Sequence, residues 1–108
     1  MAYNKYHAKK TVINDIVFDS KKEADRYCEL NLLVRAGKIS DLHRQVTFEL
    51  VPKQSDERAV KYIADFVYMD NGTGKTIIED VKGYHTKEYI IKRKIFKHRY
   101  PYLTFKEI

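Results

Sequence analysis

Tyr62-Ile63-Ala64-Asp65-Phe66-Val67-Tyr68, Met69-Asp70-Asn71-Gly72-Thr73-Gly74-Lys75 and Thr76-Ile77-Ile78-Glu79-Asp80-Val81-Lys82-Gly83 form the stretch that decides the fold. The outer segments are apolar and rich in β-branched and aromatic residues, which reads as two strands. The middle is a run of turn residues, so the strands form a hairpin. A carboxylate inside an apolar strand needs a reason, because burying it unpaired is costly. The hairpin can bring Asp65 and Asp80 together. Residues two apart in a strand share a face, so Asp80 and Lys82 point the same way. Two carboxylates and a lysine on one sheet face can hold a hard divalent cation beside a phosphate. Glu79 is the competing acid, with an E-x-x-K spacing. Alternation decides against it, since Glu79 shares a face with Ile77 and Val81.

Outward from this hairpin, the chain reads as one α/β domain over residues 1–108, with residues 1–10 as a flexible basic arm. Thr11 to Phe18 reads as a small N-terminal hairpin turning at Asn14-Asp15. Ser20 is the N-cap of a helix that runs to Ala36, and Gly37 stops it. Thr47 to Val51 reads as a strand ended by Pro52. After the central hairpin, Gly83 to Thr86 is a turn, with Thr86 as the next N-cap. A second helix covers Lys87 to Arg99. Pro101 breaks it, and Tyr102 to Ile108 is a last strand. The order is helix, strand, strand, strand, helix, strand, which implies a mixed sheet with helices packed on it.

Composition narrows the partner. Of 108 residues, 21 are Lys or Arg and 15 Asp or Glu, a net charge of +6. That balance favours a polyanion such as DNA. Cys28 is the single cysteine, which excludes an internal disulfide framework and fits a reducing compartment. The first residues lack an apolar signal core and no apolar run reaches the length of a membrane span. The expectation is a cytoplasmic protein with no membrane partner, in the host cell cytoplasm if it is phage-encoded.

On the helical wheel of the first helix, Ala24, Tyr27, Cys28, Leu30 and Val34 form an apolar sector. Lys21, Lys22, Asp25, Arg26 and Glu29 cluster opposite. Glu23 falls inside the apolar sector and should point toward the sheet. Ser20 followed by Glu23 is also a capping-box spacing. Capping and a role in the site both remain open for Glu23, and they can coexist. Cys28 reads as core rather than as a nucleophile.

Two signals mislead. Gly72-Thr73-Gly74-Lys75-Thr76 looks like a phosphate-binding loop, but Met69 stands where its first glycine belongs and a strand follows instead of a helix. His7, His43, His85 and His98 are scattered and have no zinc spacing with Cys28. The most basic element is the last helix, with Lys87, Lys92, Arg93, Lys94, Lys97 and Arg99. Lys92 and Arg99 lie on one stripe and can line a cleft beside Asp80. The alternative is a solvated helix face. The backbone N–H groups after Thr86 would attract a phosphate, and His85 lies close enough in sequence to touch one.

Together these features resemble the PD-(D/E)XK nuclease superfamily, and within it a short phage-type endonuclease family that is Holliday-junction-resolvase-like. The resemblance runs from Phe18-Asp19-Ser20-Lys21-Lys22-Glu23-Ala24 to the last strand, and the central hairpin carries most of it. It implies a restriction-endonuclease-like core in the element order read above. It implies that Asp65 is the first metal ligand, Asp80 the acid and Lys82 the lysine of D-x-K, and Glu23 the helix-borne acid. Lys92 would be the basic position of the second helix. Gln45 matches a glutamine of the short phage family, with no role assigned. Ala64 stands where the superfamily pattern has proline. Asp65, Asp80 and the backbone carbonyl of Val81 would hold Mg²⁺ or Mn²⁺, with Glu23 completing the shell. Lys82 would orient the attacking water or neutralise charge.

The expectation is a metal-dependent endodeoxyribonuclease selective for branched or recombining DNA, acting as a homodimer if it makes paired cuts. The alternatives are a non-catalytic nucleic-acid-binding module, or an interaction subunit of a phage recombination or packaging assembly. In either, Asp65, Asp80 and Lys82 would be a satisfied ion-pair cluster, since such networks mimic sites.

Overall fold

The computed structural model describes residues 10–81 and 85–108. Most of the N-terminal arm, with Lys82, Gly83 and Tyr84, lies outside the described residues. Among those described, the order is β1 (Thr11–Ile13), β2 (Ile16–Phe18), α1 (Lys21–Arg35), β3 (Ile39–Val51), β4 (Val60–Asp70), β5 (Thr76–Asp80), α2 (Lys87–Arg99) and β6 (Thr104–Glu107). The β1–β2 hairpin turns on Asn14 and Asp15 at φ 50° and 65°. A two-residue turn needs left-handed residues, and Asn and Asp tolerate that region. The other four strands form a sheet in the order β3-β4-β5-β6. β3, β4 and β5 are antiparallel neighbours. β6 lies parallel to β5, with α2 as the crossover such a pairing requires.

Alternation along β5 separates the two helices. Ile77 belongs to an apolar cluster that takes Ala24, Tyr27, Leu30 and Leu33 from α1. Ile78 belongs to a second cluster that takes Tyr89, Ile90, Ile95 and Phe96 from α2. Adjacent strand residues point to opposite faces, so α1 and α2 cover opposite faces of the sheet. Capping holds each helix start: Ser20 Oγ accepts the Glu23 N–H at 3.1 Å and Thr86 Oγ1 accepts the Tyr89 N–H at 3.0 Å.

The long β3–β4 ribbon changes faces along its length. On β4, Tyr62 and Ala64 join the α2 cluster. Two and four residues further on, Phe66 and Tyr68 join the α1 cluster. On β3, Leu42 packs with the α1 cluster, while Phe48 and Leu50 pack with the α2 cluster. The ladder pairs Arg44 with Phe66 and Val46 with Ala64, passing over Gln45 and Asp65. Gln45 has φ 52°. A left-handed residue rotates an extended chain, so the faces exchange where Gln45 and Asp65 meet.

Several sequence expectations need correction. β3 begins at Ile39, eight residues before the expected strand. Its alternation of Leu42, Arg44, Val46, Phe48 and Leu50 has a charged residue in an apolar slot, which hid the pattern. β5 ends at Asp80 and β6 starts at Thr104. The buried stripe of α1 is narrower than the wheel suggested. Cys28 and Val34 are exposed, whereas Arg26, placed on the polar side, is half-buried. The stripe follows the three-residue step from Ala24 through Tyr27 and Leu30 to Leu33, and Cys28 and Val34 fall just outside it.

Candidate functional site

Glu23 sits in the first turn of α1 and is only 4% exposed. Its N–H completes the Ser20 cap, and its carboxylate turns to β3. Oε1 accepts from Gln45 Nε2 at 3.1 Å and lies 3.7 Å from Arg44 Nη2. Ser20 caps the helix through the Glu23 N–H, while the Glu23 side chain faces β3 instead of reaching back to Ser20 as a capping box would have it. Burial raises the Glu23 pKa to about 7, the negative charges of Asp65 and Asp19 add to this, and Arg44 and Gln45 oppose it. The carboxyl thus titrates near neutrality, where a carboxylate ordinarily would not.

Asp65 stands at the face change of β4. Its Oδ1 lies 3.4 Å from the same Gln45 nitrogen, and its Oδ2 accepts from the Val81 N–H at 2.7 Å. The Gln45 amide therefore bridges an acid from α1 and an acid from β4. Carboxylates only accept hydrogen bonds, so the amide nitrogen is the end that faces them. Gln45 is itself exposed and forms the outer wall over two buried acids. Val81 was expected to offer its carbonyl; the contact observed is through its N–H.

Asp80 is fully buried, and its Oδ2 accepts from the Tyr62 hydroxyl at 2.5 Å. Burial, then the charge and hydrogen bond of Asp80, push the Tyr62 pKa upward, and Asp65 adds to the rise. The Tyr62 phenol thus stays protonated and donates. The charge of Asp65 also acts on it, more weakly than that of Asp80.

Glu79 goes the other way. It is fully buried on the Ile77 face, where Arg26 Nε reaches Oε1 at 2.7 Å and Nη2 reaches Oε2 at 2.5 Å. The Tyr68 hydroxyl also donates to Oε2. This bidentate pair is a strong form of the Arg–carboxylate contact. It removes Glu79 from the group around Gln45, as alternation required.

The sequence model of a family described as a protein of unknown function, DUF1064, matches residues 3–108. The chain belongs to the DUF1064 family. Comparison with curated proteins and with solved structures gave no match.

In this DUF1064 chain the described residues bring together Glu23, Gln45 and Asp65, and Asp80 precedes Val81, whose N–H holds Asp65. Among the described residues, no three His, Cys, Asp or Glu side chains gather as a ready metal cage. Lys82 lies outside the described residues. A cleft of about 300 Å³ opens between β4 and the start of α2, lined by Lys61, Tyr62, Thr86, Tyr89 and Lys92 among others. Lys92 lines it, 3.1 Å from Glu88. Arg99 does not line that cleft; it is exposed, with its guanidinium 5.9 Å from the Tyr100 ring. Thr86 lines the cleft, but its hydroxyl is engaged as the cap. His85 is drawn to Glu107 at 3.1 Å. Glu107 also takes the Tyr89 hydroxyl at 2.8 Å and Arg93 at 3.0 Å. Burial would raise the Glu107 pKa, but Tyr89, Arg93 and His85 together lower it.

Sequence reasoning missed Tyr62 and Arg44. Arg44 lays its guanidinium 4.3 Å over the Phe18 ring while facing Glu23, a cation–π contact. Its signal was a basic residue in the apolar phase of an alternating strand. Tyr62 carried no signal beyond its place on a strand.

Proposed function

We propose that the chain is a metal-dependent endodeoxyribonuclease of the PD-(D/E)XK kind, cytoplasmic, acting on branched or recombining DNA, and a homodimer if it makes paired cuts. The observation that carries this reading is the meeting of Glu23 from α1 with Asp65 from β4. Both are buried, and Asp65 is tied to the main chain next to Asp80. Separate elements have no packing reason to aim acids at one point, and doing so raises the Glu23 pKa. Perturbed acids in such an arrangement favour a functional site.

The donor chemistry fits a hard divalent cation. The carboxylates of Glu23, Asp65 and Asp80 and the Gln45 carboxamide offer oxygen alone, the preference of Mg²⁺ and Mn²⁺. A hydrogen-bond donor already stands between the Glu23 and Asp65 oxygens. When bound, the cation polarises the phosphate and lowers the pKa of its water. The chain's residues do the rest. The Val81 N–H fixes the Asp65 carboxylate, and the Tyr62 hydroxyl fixes that of Asp80. By the D-x-K resemblance, Lys82 would orient the attacking water or neutralise charge. Lys61 and Lys92 draw the DNA backbone into the cleft at the start of α2, where the positive end of the helix favours phosphate.

A non-catalytic nucleic-acid-binding module is the second reading. The observation that favours it is the pair of lysines, Lys61 and Lys92, that line the cleft beside the start of α2. Calorimetric titration with Mg²⁺ and Mn²⁺, paired with cleavage of junctions and linear duplexes, separates the two. Asp80→Asn should weaken both metal binding and cleavage. Lys82→Ala should keep metal binding while cleavage falls by orders of magnitude, because its contribution is to the transition state. A parent protein that binds no divalent cation at millimolar metal removes the catalytic reading.

A further inference from the structure

Gln45 touches both meeting acids, and its backbone departs from the ordinary strand conformation at that contact. At φ 52° it lies in the left-handed region. A non-glycine residue pays there about 1 kcal/mol or more, and such residues collect at functional sites. The ladder skips Gln45, the faces of the ribbon exchange at it, and its side chain reaches past the exposed strand surface to Glu23 and Asp65. A residue serving only as sheet would relax into the ladder. Its carboxamide has two ends of opposite character. The nitrogen end suits two carboxylates without a cation, and the oxygen end suits a cation. The terminal torsion of Gln is broad, so exchanging the ends moves no backbone.

We propose that Gln45 is a cation-responsive ligand: its carboxamide clamps Glu23 and Asp65 through its nitrogen in the metal-free protein and turns over to offer its oxygen when a divalent cation enters. This rests on the divalent-cation reading of the site and assigns to that site a ligand from β3. Gln45 also holds the acids in place before the cation arrives. A purely structural bridge has the opposite signature. The cation would then have to displace the amide, so removing the amide would tighten metal binding.

The test is calorimetric titration of Mg²⁺ and Mn²⁺ into DNA-free protein, for the parent, Gln45→Ala and Gln45→Asn. Asn tolerates the left-handed region well but is too short to span both acids, so it separates ligand loss from backbone effects. Both variants should bind metal at least about tenfold more weakly. The Gln45 side-chain amide, identified in ¹⁵N–¹H spectra by its loss in Gln45→Asn, should move away from its carboxylate-bonded position as Mg²⁺ saturates. A parent protein without any binding heat overturns the proposed function and this inference together. Binding in the parent that is equal or tighter in both variants overturns this inference alone, and so does a Gln45 amide signal that keeps its position in saturating Mg²⁺.

Discussion

Replacing Glu23 with Gln should stabilise the metal-free protein at alkaline pH and leave it nearly unchanged at pH 5. The Glu23 carboxyl has a folded pKa of about 7 against 4.5 for the free side chain. Its folded pKa is raised, so the contribution it makes is fully present below about 4.5 and is lost as pH rises through about 7. Above that, the native state carries a buried negative charge facing Asp65 and Asp19. At about 1.4 kcal/mol per pH unit, the interval from 4.5 to about 7 caps the penalty at about 3.5 kcal/mol. Solvent reaching the site past exposed Gln45 screens this, which leaves roughly 1–2 kcal/mol. Gln at position 23 keeps the shape and still accepts the Gln45 hydrogen bond. Urea unfolding in chelator from pH 5 to pH 8 measures the difference. The midpoint of Glu23→Gln should exceed the parent's by about 0.5–1.5 M at pH 8, with the gap closing toward pH 5. Parallel pH profiles for the two proteins would refute the reasoning, since an unshifted carboxyl has no differential titration in this window.

Arg26→Met should destabilise the fold by about 3–5 kcal/mol because it leaves Glu79 charged, buried and stripped of its bidentate partner; Arg26→Met with Glu79→Met should recover most of that loss in denaturant unfolding. Tyr62→Phe removes the hydrogen bond to buried Asp80, which should cost about 1–3 kcal/mol in thermal or urea unfolding and lower cleavage of branched DNA. Lys92→Ala should weaken DNA binding and flatten its salt dependence in a fluorescence titration across salt concentrations, whereas Arg99→Ala, on a residue outside the cleft, should do less. Equal effects of the two would return the α2 basic residues to a general electrostatic surface.

The sequence by itself determined the element order, both helix starts, both hairpins and the fates of Glu79 and Asp80. These features depend on neighbours along the chain. Ser20 and Thr86 cap because they precede helical turns. Asn14-Asp15 and Gly72 to Gly74 turn because of their own backbone preferences. Glu79 and Asp80 face opposite ways because adjacent strand residues must. The local pattern also put Glu23 toward the sheet, since the wheel position of a helical residue is fixed by its number. Tertiary structure alone decided what those side chains meet. Gln45 and Arg44 lie 22 and 21 residues from Glu23, and no local rule links them. The exposure of Cys28 and Val34 depends on how α1 seats against the twisted sheet. The exchange of faces at Gln45 and Asp65 leaves the apolar alternation of both strands intact, so the pattern from which a strand is read carries no mark of it. It coincides with the left-handed Gln45 on the paired strand, where Asp65 meets the Gln45 amide and the Val81 N–H. Periodicity reports the average course of a chain, whereas a site is built where the chain departs from it.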